Sequence, residues 1–114
     1  MNKKDDIKLL MDELVKKVYK ASQDFPKNEL YGLTSQLRRS TLSIILNYIE
    51  GYARQRKKVL INFLEISYGS LKETKYLLYL SCYLKYLDKQ QYVEMERVSD
   101  KIGAMLWGIL KNLR

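Results

Sequence analysis

The stretch Leu33-Thr34-Ser35-Gln36-Leu37-Arg38-Arg39-Ser40-Thr41-Leu42-Ser43-Ile44-Ile45-Leu46-Asn47-Tyr48-Ile49-Glu50-Gly51-Tyr52-Ala53 holds no proline and a single glycine. Its apolar residues recur at three- and four-residue steps, the period of an α-helix. At 100° per residue Leu33, Leu37, Leu42, Ile44, Ile45, Tyr48, Ile49 and Tyr52 cover an arc of roughly 200°. Gln36, Arg39, Ser40, Ser43, Asn47, Glu50 and Arg54 form the narrow polar stripe that remains. Such an arc is wider than one packing seam requires. The helix predicted over 33–53 therefore touches several neighbours, a second subunit among them.

Outward from this helix the same period continues. Ile7, Leu10, Met11, Leu14, Val15 and Val18 make one stripe and predict a helix over about 4–24. Pro26 disfavours helical geometry at Phe25, and Gly32 tolerates unusual dihedrals, so 25–32 is a linker. A turn around Gly51 to Lys57 leads into a third helix, about 58–85, whose second half, Tyr76 to Leu84, carries no charge. Asp88, with Gln91 three residues on, reads as a capping box that opens a fourth helix over about 88–111. Its inward stripe is Tyr92, Met95, Val98, Ile102, Met105, Leu106, Ile109 and Leu113. The single proline and five glycines of the 114 residues leave too few breakers for β architecture. The expected fold is all-α, one domain over 1–114, an up-and-down four-helix bundle.

Histidine is absent, which removes the usual general base near neutral pH and the commonest metal ligand. No Glu-x-x-His di-metal pattern, phosphate loop or dinucleotide glycine pattern is present. Cys82 stands alone and reads as a packed thiol in a reducing compartment. The expectation is a non-enzymatic protein with no catalytic residue, metal or cofactor. The apolar stretches Ser40–Ile49 and Tyr76–Leu84 fall short of the roughly 20 residues that span a bilayer. The charged N-terminal residues lack an apolar signal core, so no membrane partner and a cytoplasmic location are expected.

The chain carries 21 lysines and arginines against 13 acids, a net charge of +8. Arg38, Arg39, Arg54, Arg56, Lys57 and Lys58 face only Glu50 within residues 33–60, so +5 of that charge lies in about a quarter of the chain. Arg54-Gln55-Arg56-Lys57-Lys58 is a positive cluster at a helix–helix turn, where long side chains can reach phosphates without disturbing a core. The plainer reading is that Arg54 pairs with Glu50 one turn back and the lysines solvate a corner. Both stand. Arg38 projects with Leu42, Ile45 and Ile49 on the apolar arc and must be paired, snorkelling or at a subunit boundary. Of ten tyrosines, Tyr76, Tyr79, Tyr83 and Tyr86 follow helical spacing. They could stack on unpaired bases; among leucines with little charge, core or oligomer contact is the better account.

Tyr31-Gly32-Leu33-Thr34-Ser35-Gln36-Leu37-Arg38-Arg39, Asn47-Tyr48-Ile49-Glu50-Gly51-Tyr52-Ala53-Arg54, Phe63-Leu64 and Gly69-Ser70-Leu71-Lys72-Glu73 together resemble the four-helix bundle family of 23S rRNA intervening-sequence proteins. Phe25-Pro26 falls in its expected place. The likeness covers nearly the whole chain, and the fourth helix is least distinctive. That family is similar in fold to the accessory variability determinant of diversity-generating retroelements, a basic homopentameric barrel that binds reverse transcriptase and nucleic acid. The resemblance thus implies a homo-oligomer, a pentamer by number. One departure is the second helix, where Ser43-Ile44-Ile45-Leu46-Asn47 lacks the proline many members carry.

The function expected is nucleic-acid binding, RNA above all, with Arg39, Arg54, Arg56, Lys57 and Lys58 on phosphates. The oligomer contact is expected to use Arg38, Leu42, Ile45, Ile49, Tyr76, Tyr79 and Tyr83. The alternative is a protein-interaction adapter, such as an accessory subunit of a reverse transcriptase.

Overall fold

The computed structural model describes residues 3–114. Four helices, α1 (Lys3–Ser22), α2 (Leu33–Ala53), α3 (Lys57–Tyr83) and α4 (Lys89–Leu113), carry almost all of the chain, and a 3-10 turn at Lys27–Glu29 interrupts the α1–α2 linker. Each helix packs on the next, α4 closes against α1, and the diagonal pairs stay apart. This is the up-and-down arrangement that short connections favour. The 43 × 25 × 20 Å envelope follows from α3, whose 27 residues span about 40 Å at 1.5 Å each.

One core runs the length of the rod. Ile7, Met11, Leu14 and Val18 of α1 meet Leu37, Ile44 and Tyr48 of α2, Leu64, Leu71 and Leu78 of α3, and Val98, Ile102, Leu106 and Leu110 of α4, all essentially fully buried. The predicted helix bounds agree to within two residues. Helix α1 ends earlier than expected, at Ser22, because successive turn bonds from Gln23, Asp24 and Phe25 wind the chain down toward Pro26. Glu29 then caps α2: its carboxylate accepts from the Leu33 N–H at 3.1 Å and from the Tyr86 hydroxyl at 3.0 Å. The capping box forms, with Asp88 Oδ1 accepting from the Gln91 N–H at 2.7 Å and Gln91 Oε1 from the Asp88 N–H at 3.0 Å.

The polar stripe assigned to α2 needs correction. Ser40 is buried, and Ser43 and Asn47 are half-buried, because this flank faces α3. There Thr74 Oγ1 lies 2.8 Å from Ser40 Oγ, Ser43 Oγ lies 2.7 Å from Ser70 Oγ, and the Ser67 hydroxyl donates to the Ile44 carbonyl at 2.6 Å. Asn47 Nδ2 donates to the Ser43 carbonyl at 2.8 Å. Small hydroxyl side chains satisfy one another across a close helix pair, so polar residues line a packed seam at no desolvation cost left unmet. Gly51 is likewise not a turn residue. It is buried within α2, where a Cβ would come 3.0 Å from Phe63 Cβ, and the turn proper is Arg54–Arg56.

Candidate nucleic-acid interface

The α2–α3 turn stands at one pole of the rod. Tyr68 meets Trp107 and Lys75 meets Asp100 across α3 and α4. That antiparallel register sets Arg114 level with Ile61, so the first turn of α3 and the whole Arg54–Arg56 connection extend past the end of α4. Arg54, Gln55, Arg56, Lys57 and Lys58 are all exposed there. Arg56 has extended geometry and Lys57 begins α3 with no side-chain cap, so free helix N–H groups and their positive end dipole add to the same pole.

The five basic residues do not form one set. Arg54 is partly engaged: its Nε donates to Glu50 Oε1 at 3.0 Å and its guanidinium lies 5.5 Å from the Phe63 ring centroid. The plain reading of Arg54 is therefore realised, in an exposed pair worth under about 1 kcal/mol. Among the described residues no carboxylate lies in ion-pair range of Arg56, Lys57 or Lys58. Arg39 is exposed as well, but lies on α2 fifteen residues before Arg54, which follows the end of that helix, about 22 Å away.

Arg38 is paired within the subunit. Its Nε donates to Ser22 Oγ at 2.8 Å and its guanidinium sits 4.9 Å over the Tyr19 ring, so it ties α2 to α1. Leu42 and Ile45 are half-buried, Ile45 against the core. Ile49 and its neighbour Leu46 are 45% and 56% exposed on the outer face of α2. Tyr76, Tyr79 and Tyr83 are exposed on α3, with successive ring centroids 6.2 and 6.4 Å apart. These two apolar surfaces lie on different sides of the bundle, since α2's other flanks meet α1 and α3 whereas Tyr79 shares the α4-side flank of α3 with Tyr68 and Lys72.

Periodicity within single helices missed a groove between α3 and α4. About 320 Å³ in volume, it is lined by Tyr68, Lys72 and Lys75 on one side and Asp100, Gly103 and Trp107 on the other. The signal was present as the only tryptophan, placed on the outer side of α4. A larger depression, about 710 Å³, opens beside Asp88–Glu94 at the opposite pole, where the capping box uses its polar groups and no cations converge. Tyr92, nearby, donates to Glu96 at 2.8 Å, and this bond, then burial, pushes its phenol up to about 12; the group keeps its proton at neutral pH. Among the described residues no three potential metal ligands gather, and no helix is long and apolar enough to cross a membrane.

A family model described as 23S rRNA-intervening sequence protein matches residues 3–108. A solved structure of a protein with unknown function from the S23 ribosomal protein family, from Bacteroides thetaiotaomicron VPI-5482, superimposes with a TM-score of 0.88. It is 25% identical, and the match covers 96% of this chain and 99% of that one. No curated relative matches the chain.

Proposed function

Because the chain belongs to the 23S rRNA-intervening sequence protein family, we propose that it is a non-enzymatic nucleic-acid-binding protein that favours structured RNA and works as a homo-oligomer. The observation that carries this reading is the projecting basic turn, where Arg56, Lys57 and Lys58 stand exposed beyond the end of α4 beside the N-terminus of α3. Cations on a convex pole suit a phosphate backbone better than a small-molecule pocket. Arg54 joins them by exchanging its Glu50 partner for a phosphate, a small loss because the pair is exposed. Arg39 contacts a separate stretch of the ligand or none.

Two unlike apolar faces support self-association of the head-to-tail kind, which closes into a ring when the rotation permits. The outer face of α2 packs on the tyrosine side of a neighbour's α3, and five copies is the number the resemblance implies. A ring multiplies one modest basic turn into a polyvalent surface.

The test is a titration with RNA and DNA at several salt concentrations. Affinity falls with salt, and each alanine at Arg54, Arg56, Lys57 or Lys58 flattens the log–log slope by roughly 0.7 to 0.9 per lost contact. Stability changes by under about 1 kcal/mol. A quadruple alanine variant that stays folded and binds RNA like the parent at every salt concentration removes these residues from the mechanism. If that variant instead loses capture of a protein such as a reverse transcriptase, the adapter reading replaces this one.

A further inference from the structure

We infer that the α3–α4 groove is a seat for an unpaired nucleotide, in which Tyr68 and Trp107 hold the base and the cations at its rim hold the flanking phosphates; this deepens the reading above and rests on it. The two rings stand 5.8 Å apart, tilted by 43°, and Trp107 is 50% exposed although it belongs to a packed helix pair. An indole left half in water beside a second ring is a surface on which a flat, sequence-tolerant partner can stack. Between them the floor is kept low by Gly103, where a Cβ would already approach Leu71 Cδ2 at 3.2 Å.

The charges around the rings match a polyanion. Lys72 Nζ lies 5.1 Å from the Tyr68 centroid and the Arg114 guanidinium 5.8 Å from the Trp107 centroid. Lys75 closes the far end, and Lys111 is one turn beyond Trp107 on the same face of α4. Two carboxylates are present as well: Glu65 holds Arg114 at 2.6 Å and Asp100 holds Lys75. Both pairs are partly exposed, Arg114 and Glu65 more evenly than Lys75 and Asp100, so a phosphate can take over either cation at modest cost. Four cations against two acids leave the rim positive. The groove spans the middle of α3, and its near edge, Tyr68, lies ten residues from Lys58, about 15 Å, so one strand can leave a paired region held at the basic turn and enter it. The tyrosines at 76, 79 and 83 follow Lys75 toward the end of α3, outside the lining of the groove.

Trp107 is the only tryptophan of the chain, so its emission reports this groove alone. A short oligoadenylate and a duplex RNA are titrated into the full chain, with emission and the anisotropy of the labelled RNA followed together. The expected result is saturable quenching by oligoadenylate with the midpoint seen by anisotropy, and little quenching by the duplex. Trp107→Ala weakens oligoadenylate binding by about tenfold or more and leaves duplex binding unchanged, whereas Trp107→Phe keeps most of the affinity. Lys72→Ala, at an exposed position, weakens the same arm without touching the core. Binding of oligoadenylate with unchanged emission and parental affinity in Trp107→Ala overturns the nucleotide seat and leaves the basic turn standing. An emission maximum that shifts with protein concentration in the absence of RNA assigns the groove to a subunit contact and likewise overturns it. No binding of either RNA removes both readings.

Discussion

The α3–α4 connection turns on two residues with opposite fitness for their places. Asp88 is suited to its position: it satisfies the Gln91 N–H, and Gln91 satisfies the Asp88 N–H in return. Asp88→Ala is expected to cost about 1 kcal/mol, read as a lower denaturation midpoint at unchanged slope. Lys85 is unsuited, since its φ of 67° lies in the left-handed region that ends many helices and favours glycine. The bonds from Tyr86 and Leu87 back to the Ser81 carbonyl hold it there. Lys85→Gly is expected to raise stability by about 1 kcal/mol, near the cost of placing an L-residue in that region; a melting temperature that falls would show that the lysine stem contributes packing. Asp88 was legible in the sequence because a cap and its partner lie three residues apart. Lys85 was not, because nothing in its type announces the conformation imposed on it.

Among the helices, α2 and α3 form the closest pair, and glycines reveal where closeness is needed. At Gly51 any side chain meets Phe63 and Leu60, whereas at Gly69 an added methyl meets nothing within 4 Å. Gly51→Val is expected to destabilise by about 1–3 kcal/mol through overpacking. Gly69→Ala is expected to stabilise the subunit by up to about 1 kcal/mol through helix propensity; chemical denaturation of the two variants side by side checks both signs. The helices themselves were legible from period alone. The inward turn of Ser40, Ser43 and Asn47 was not, because a polar stripe facing solvent and one facing Ser67, Ser70 and Thr74 have the same sequence pattern within one helix. The Tyr68–Trp107 groove was hidden for the related reason that its walls come from two helices whose register against each other only the fold sets.

At the scale of the whole molecule, a 13.6 kDa chain leaves Leu46, Ile49, Tyr76, Tyr79 and Tyr83 about half exposed or more, a surface that favours association. Light scattering at micromolar concentration is expected to give a multiple of 13.6 kDa. Ile49→Asp, at an exposed position, is expected to lower that mass with helicity unchanged; a parent that scatters as a monomer overturns the assembly. The basic turn was legible as a run of charge, but its reach beyond α4 was not, since that depends on where the fourth helix stops. The hydroxyl seam has one more consequence. A leucine interface can slide by a fraction of a turn and lose little, whereas Ser40–Thr74, Ser43–Ser70 and Ser67–Ile44 all break together if α2 shifts along α3. The seam therefore indexes the hairpin like the teeth of a rack. Lys58 and Lys72 ride on that indexed helix fourteen residues apart, about 21 Å, which makes α3 a ruler of fixed graduation rather than a flexible arm.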